Sequence, residues 1–183
     1  MTITDYAEFF RIMSNESRLR LLKTLYNSKP VSVNHLSLLS NVPLSKICDQ
    51  LTVLRKYDYV KSTVSRTKRY YYNHNDKVLD ILTSYCKKLG LEFELKYDGV
   101  NIGSFYNVIR DPFNLDNMRI YKLLANDNRC SMLVKIFEKE LSVKDMCGMY
   151  YLEQPTISMH LIDIRKEGLV KGKKVGKLKY YYI

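Results

Sequence analysis

The apolar positions of this chain fall into helical spacings interrupted by short alternating runs, and the whole pattern occurs twice. Between Leu152 and Tyr182, Ile157, Leu161 and Ile164 recur at i, i+4 and i+7, which predicts a helix burying one face. Gly168 ends that helix. Leu169–Val175 and Leu178–Tyr182 then read as two strands around Gly176–Lys177. The stretch Leu44–Tyr72 repeats this pattern 110 residues earlier. Ile47, Leu51 and Leu54 match the three helical positions, Arg55–Lys56 matches Arg165–Lys166, and Tyr70–Tyr72 matches Tyr180–Tyr182. Two copies are too few for a solenoid and point to a duplicated domain.

The repeat extends upstream. Thr4–Met13 predicts a first helix with Tyr6, Phe9, Phe10 and Met13 on one side. Asn15 reads as the cap of a second helix, Glu16–Tyr26, which buries Leu21, Leu22, Leu25 and Tyr26. At an offset of 111, Asn126 caps a helix carrying Met132, Leu133, Ile136 and Phe137, and Arg129 stands where Arg18 does. Ser32 and Ser142 read as caps of short third helices, followed by a tight turn and the helix described above. Two such helices form a helix-turn-helix, and the two strands behind them form a wing.

The connector has its own pattern. Asn75 or Asp76 caps a predicted helix over 76–89 that buries Val78, Ile81, Leu82, Tyr85 and Leu89, and Gly90 ends it. Leu91, Phe93, Leu95 and Tyr97 then alternate with polar residues, Asp98–Gly99 is a turn signal, and Val100, Ile102 and Ser104 resume the alternation. A β-hairpin over 91–106 is expected. Residues 1–75, 76–114 and 115–183 are thus read as first domain, connector and second domain.

Composition sharpens the picture. At 46% hydrophobic residues, 183 positions suffice for real cores. No apolar run approaches the roughly 18 residues of a membrane helix. The start, MTITDYAEFF, carries two acids and no basic leader, so a cytoplasmic, nucleoid-associated chain is expected, with no membrane partner. The net charge of +11 divides as +7 over 1–75, −2 over 76–117 and +6 over 118–183, so the excess follows the repeats. That is the footprint of a polyanion-binding chain. Cys48, Cys86, Cys130 and Cys147 lack paired spacing and read as reduced, at least partly buried thiols. No Gly-rich phosphate loop, H-E-x-x-H or nucleophile motif occurs, so an enzyme is not expected.

Each copy resembles a winged helix-turn-helix of the ArsR-like regulators. Asn126–Arg129, Leu141–Val143, Thr156–Leu161, Arg165–Val170 and Tyr180–Tyr181 carry the resemblance in the second copy. Glu16–Leu22, Leu51, Leu54–Arg55 and Arg69–Tyr72 carry it in the first. It implies a mostly α fold with small β wings: tandem winged helices acting as an intrachain pseudo-dimer on double-stranded DNA, at an imperfect palindrome. In that family the helix after the wing often forms the dimer interface, so pairing of two chains through the connector stays open. The family often carries a basic residue where this chain has Asp49 and Met159. The paired cysteines of its arsenic-type site are replaced by Val31–Leu36 and Leu141–Met146, and the helix over 76–89 lacks the histidines of its zinc-type site. No metal and no cofactor are therefore expected.

The recognition-helix candidates are Ser45, Lys46, Cys48 and Asp49 in the first copy, and Gln154, Thr156, Ser158 and Met159 in the second. Arg66, Lys68 and Arg69, with Lys173, Lys174 and Lys177, are the candidates for holding the DNA backbone from the wings. Two rival readings use the same folds: a tandem winged-helix adaptor that binds protein in a chromosome-maintenance or trafficking complex, and a replication, plasmid or phage control protein.

Overall fold

A computed structural model describes residues 1–26, 28–73, 77–89 and 103–182. In the N-terminal half, α1 (Ile3–Met13) and α2 (Glu16–Tyr26) lead into β1 (Val31–Ser32), α3 (Val33–Ser40), α4 (Leu44–Lys56), β2 (Val60–Ser65) and β3 (Lys68–Asn73). Helices α5 (Lys77–Lys88) and α6 (Gly103–Arg110) follow. A 3-10 turn at Leu115–Asn117 then opens the C-terminal half. It comprises α7 (Met118–Leu124), α8 (Asp127–Glu138), β4 (Leu141–Ser142), α9 (Val143–Tyr150), α10 (Gln154–Lys166), β5 (Lys171–Val175) and β6 (Leu178–Tyr182).

Each half holds one antiparallel three-stranded sheet, ordered β1-β3-β2 and β4-β6-β5. Val31 lies opposite Tyr71 in the first and Leu141 opposite Tyr181 in the second. The alternation of strand side chains turns Tyr71 and Tyr181 into the core, at 7% and 2% exposure, while their neighbours face outward. The sequence places the helix starts well, and the caps explain why. Thr2 and Asp5 form a reciprocal capping box at α1, and Asn126 accepts from the Arg129 backbone amide at α8. Ser142 and Asp145 make another box at α9. Ser32 occupies the matching position of α3 without a side-chain bond, and His35 at N3 has no carboxylate to complete a box.

Left-handed residues end the short helices at matching places: Asn41 (φ 54°) after α3 and Tyr151 (φ 51°) after α9. Past the long helices Asp58 (φ 61°) answers Gly168 (φ 73°), and at the hairpin tips Arg66 (φ 55°) answers Gly176 (φ 60°). Asparagine and glycine tolerate this conformation; a bulky residue such as Tyr151 adopts it only under strong constraint.

The two halves share one hydrophobic core. Helix α1 packs on α7 and α8 as well as on its own half. At the seam Phe10 meets Tyr85 edge-on at 5.1 Å and Tyr121 at 6.0 Å, and Tyr6 lies 4.9 Å from Tyr85. The Tyr85 hydroxyl donates to the Cys130 carbonyl at 3.2 Å, which satisfies a phenol that is otherwise fully buried. Burial pushes the Cys86 and Cys130 thiols up to about 12, so both are inert neutral thiols. Helix α5 contributes Val78, Ile81, Leu82, Tyr85 and Cys86 to this core. At the periphery Arg11 reaches Asp127 at 3.7 Å and Lys23 reaches Asp111 at 3.6 Å.

Three expectations change. The hairpin over 91–106 falls mostly outside the described residues, and its last part is helical, within α6. Val108 of that helix is buried. Tyr26 lies at the surface rather than in the core, its ring tilted against Phe113 at 5.1 Å. Cys48 is exposed, because it sits on α4 away from the face that Ile47, Leu51 and Leu54 bury. The proposed caps Asn75 and Asp76, and the stop at Gly90, lie outside the described residues. No helix among the described residues is long and apolar enough to cross a membrane.

Candidate nucleic-acid interface

Two helices present themselves to solvent in the same way. On α4, Ile47, Leu51 and Leu54 are at most 1% exposed, and on α10 so are Ile157, Leu161 and Ile164. Periodicity then fixes the outer ridges: Ser45, Asp49, Thr52 and Lys56 on α4, and Pro155, Met159, Ile162 and Lys166 on α10. Among the residues singled out from the sequence, Ser45, Lys46, Cys48, Asp49, Gln154, Thr156 and Met159 are exposed, and Ser158 is half-buried.

An arginine anchors each helix from behind. Arg18 donates from Nε to the Ile12 carbonyl at 2.7 Å and from a terminal nitrogen to the Arg11 carbonyl at 3.1 Å, closing the end of α1. Its other terminal nitrogen reaches Gln50 of α4 at 3.3 Å. Arg129 does the same for the other half. It donates to the Leu123 carbonyl at 3.3 Å and to His160 Nδ1 at 3.3 Å, and lies 3.7 Å from Asp163. A guanidinium fork suits this task because its donors are fixed in one plane. Sequence reading aligned the two arginines but gave them no role; their match across the offset was the available signal.

The Arg129 contact has a consequence for pH. Nδ1 accepts from Arg129, so His160 must be neutral, and burial together with the Arg129 charge lowers its pKa below 6.5, against the opposing pull of Asp163. A histidine whose folded value is depressed supplies stability that is present above the unfolded value and lost as pH falls through the folded one. The protein should therefore lose stability on acidification below about pH 6.5, and His160→Gln, which copies Gln50, should flatten that loss. Thermal denaturation from pH 7.5 to 5.5 checks this. An unchanged pH profile in the variant would remove His160 from the role.

The two hairpins are strongly basic. Arg66, Lys68 and Arg69 are exposed at and beside the β2–β3 turn, and Lys174 and Lys177 are exposed at the β5–β6 turn. Lys174 lies directly opposite Lys179 across the hairpin. Lys173 is held differently: Glu140 binds its ammonium at 2.6 Å, and it lies 5.3 Å from the Tyr182 ring centre. The structure adds Arg55, Lys56 and Lys61, which line an open concavity of about 500 Å³ with Thr52 and Ser62, where α4 meets β2. The repeated Arg55–Lys56 and Arg165–Lys166 pairs pointed there in the sequence. Helix, basic concavity and basic ribbon together form a surface that suits a groove and its flanking phosphates. Among the described residues no group of three or more His, Cys, Asp or Glu side chains is placed to hold a metal ion.

Comparison with known proteins agrees with this geometry. The profile described as "Bacterial regulatory protein, arsR family" matches residues 126–171, from the cap of α8 to the first residue of β5. The transcriptional activator HlyU of Vibrio cholerae is 31% identical over 78 residues, covering 38% of this chain and 72% of that protein. The arsenical resistance operon repressor of Escherichia coli is 35% identical over 65 residues, 35% of this chain and 56% of that protein. The cadmium resistance transcriptional regulatory protein CadC of Listeria innocua is 36% identical over 64 residues, 34% of this chain and 54% of that protein. The chain thus spans nearly three-quarters of the first relative and just over half of the other two. No solved structure matches. With an exposed helix, a basic hairpin and these relatives in agreement, the chain belongs to the arsR family of bacterial regulatory proteins.

Proposed function

We propose that this protein is a sequence-specific, double-stranded DNA-binding transcriptional regulator in which both halves are winged helices, so that one chain acts as its own pseudo-dimer on an imperfect palindrome. The observation that carries the reading is the repeated construction: each half sets an arginine-anchored, outward helix beside a basic hairpin. Matching strand order, matching left-handed positions and an offset of 111 through the second helix and 110 from Ser32 onward support a duplication. The boundaries 1–75, 76–114 and 115–183 are divisions of pattern rather than of packing, since α1 crosses the seam. Helix α5 already has its apolar face covered within the chain, so a second chain is not needed to bury it.

A mobility-shift titration with random-sequence duplex and with genomic fragments tests this. Salt-sensitive binding to bulk duplex, with much tighter retention of a subset of fragments, is expected. Absence of binding in dilute buffer would defeat the reading. The exposed apolar residues Leu38, Leu39 and Leu44 favour a second one, docking of a protein partner on the N-terminal half. Under that reading DNA would be ignored, and substitutions at Leu38 and Leu39 would be the ones that matter.

A further inference from the structure

The outer ridges of α4 and α10 occupy equivalent positions and carry opposite chemistry. We infer that the two halves read base pairs of different composition: α10 packs against the thymine methyls of an A·T-rich half-site, and α4 reads a C·G base pair through Asp49 and Lys46. This inference deepens the DNA-binding reading and rests on it.

On α10 the ridge is apolar. Met159 is 64% exposed and Ile162 44%, and Pro155 and Thr156 are exposed on the preceding turn. Gln154 opens the helix. No arginine or lysine stands among these five, so the commonest guanine contact, a cation on O6 and N7, is absent from the base-reading turns. What they do offer is an amide that pairs with adenine N6 and N7, and aliphatic surface that fits the thymine C5-methyl. The cations come later, at Arg165, Lys166 and the hairpin, where phosphates lie.

On α4 four of the five equivalent positions are polar, and the fifth is Leu44, exposed where α10 has Gln154. Asp49 replaces Met159, Thr52 replaces Ile162, and Lys46 replaces Thr156. Lys46 and Asp49 are three residues apart, both exposed, and neighbours on the helix surface. Among the described residues neither is engaged by an ion pair. A carboxylate on a helix meant only for phosphates would be repelled. Beside a lysine it matches the major-groove edge of a C·G pair, where cytosine N4 donates to the acid and guanine O6 and N7 accept from the amine. The surrounding positive charge selects nucleic acid over an apolar protein partner as the occupant of the α10 ridge.

The test is selection from a randomised duplex library with the full chain, followed by titration of the recovered duplex. A lopsided motif is expected, one half A·T-rich and the other requiring C·G. Replacing thymine by deoxyuracil in the A·T-rich half, which removes only the methyl, should weaken wild-type binding several-fold. A Met159→Ala/Ile162→Ala double variant, altered only at exposed positions, should no longer distinguish the two bases. Asp49→Asn should lose about tenfold of its preference for C·G at one position. A symmetric motif, a G·C-rich partner for α10, or equal response of wild type and double variant to deoxyuracil would overturn the assignment while leaving DNA binding intact. Failure to retain any duplex would instead defeat the underlying function, and this inference with it.

Discussion

Phe10→Ala is expected to lower folding stability by about 3–5 kcal/mol, the usual cost of emptying a buried phenylalanine site. Phe10 has no exposed surface, and its ring touches Phe9, Tyr85 and Tyr121. Those partners come from α1, α5 and α7, so the vacated space would lie between the halves rather than inside one of them. Edge-on aromatic pairs contribute a further ~0.5–1.5 kcal/mol each, and that is lost as well. A domain typically holds only about 5–15 kcal/mol in reserve, so the variant would sit near its folding threshold. Both halves should unfold together, because the seam is common to them. Urea titration followed by circular dichroism and by tyrosine emission should give coincident curves, shifted alike; the chain has 16 tyrosines and no tryptophan. Leu38→Ala, at an 80% exposed site, is the control, expected to stay within about 0.5 kcal/mol. Two separated transitions, with only one displaced by the Phe10 change, would show that the halves are independent.

On the proposed DNA-binding reading, the other large effect belongs to the β5–β6 hairpin. Lys173→Ala/Lys174→Ala/Lys177→Ala should weaken DNA binding by about a hundredfold near 0.15 M salt, uniformly across sequences, since phosphate contacts carry no base information. Three lost contacts would lower the salt slope by about 2.7, at roughly 0.9 per phosphate. The structure argues for a smaller figure. Glu140 already neutralises Lys173, so the drop should be nearer two, and Lys173→Ala alone should do little. Plots of log affinity against log salt for the single and triple variants separate these cases. An unchanged slope in the triple variant would take the hairpin out of the interface.

Much of this architecture could be read locally. Ile47, Leu51, Leu54 and their counterparts Ile157, Leu161 and Ile164 announce their buried faces by spacing alone, and Tyr71 and Tyr181 by alternation. Asn126 and Ser142 declare helix starts because a cap needs only its own next three residues. The seam was not legible. Phe10, Tyr85 and Tyr121 each look like ordinary core positions, and nothing local says that they face one another across 111 residues of chain. The restraint of Lys173 by Glu140 is equally non-local; it depends on the residue before β4 reaching the β5–β6 hairpin. Helix α6 was missed because it is short and begins inside the last positions of a longer alternating pattern.

The seam also has a meaning in terms of mass action. A regulator assembled from two separate chains falls apart when the cell holds few of them, and its occupancy of DNA then varies with the square of its abundance. On the proposed reading the partner of each reading head is covalently supplied, and it is held in place where Phe10 meets Tyr121 and Tyr85 donates to the Cys130 carbonyl. On the proposed reading, response to dose would be linear down to a handful of molecules, and each head would be free to diverge without spoiling a mirror-image twin.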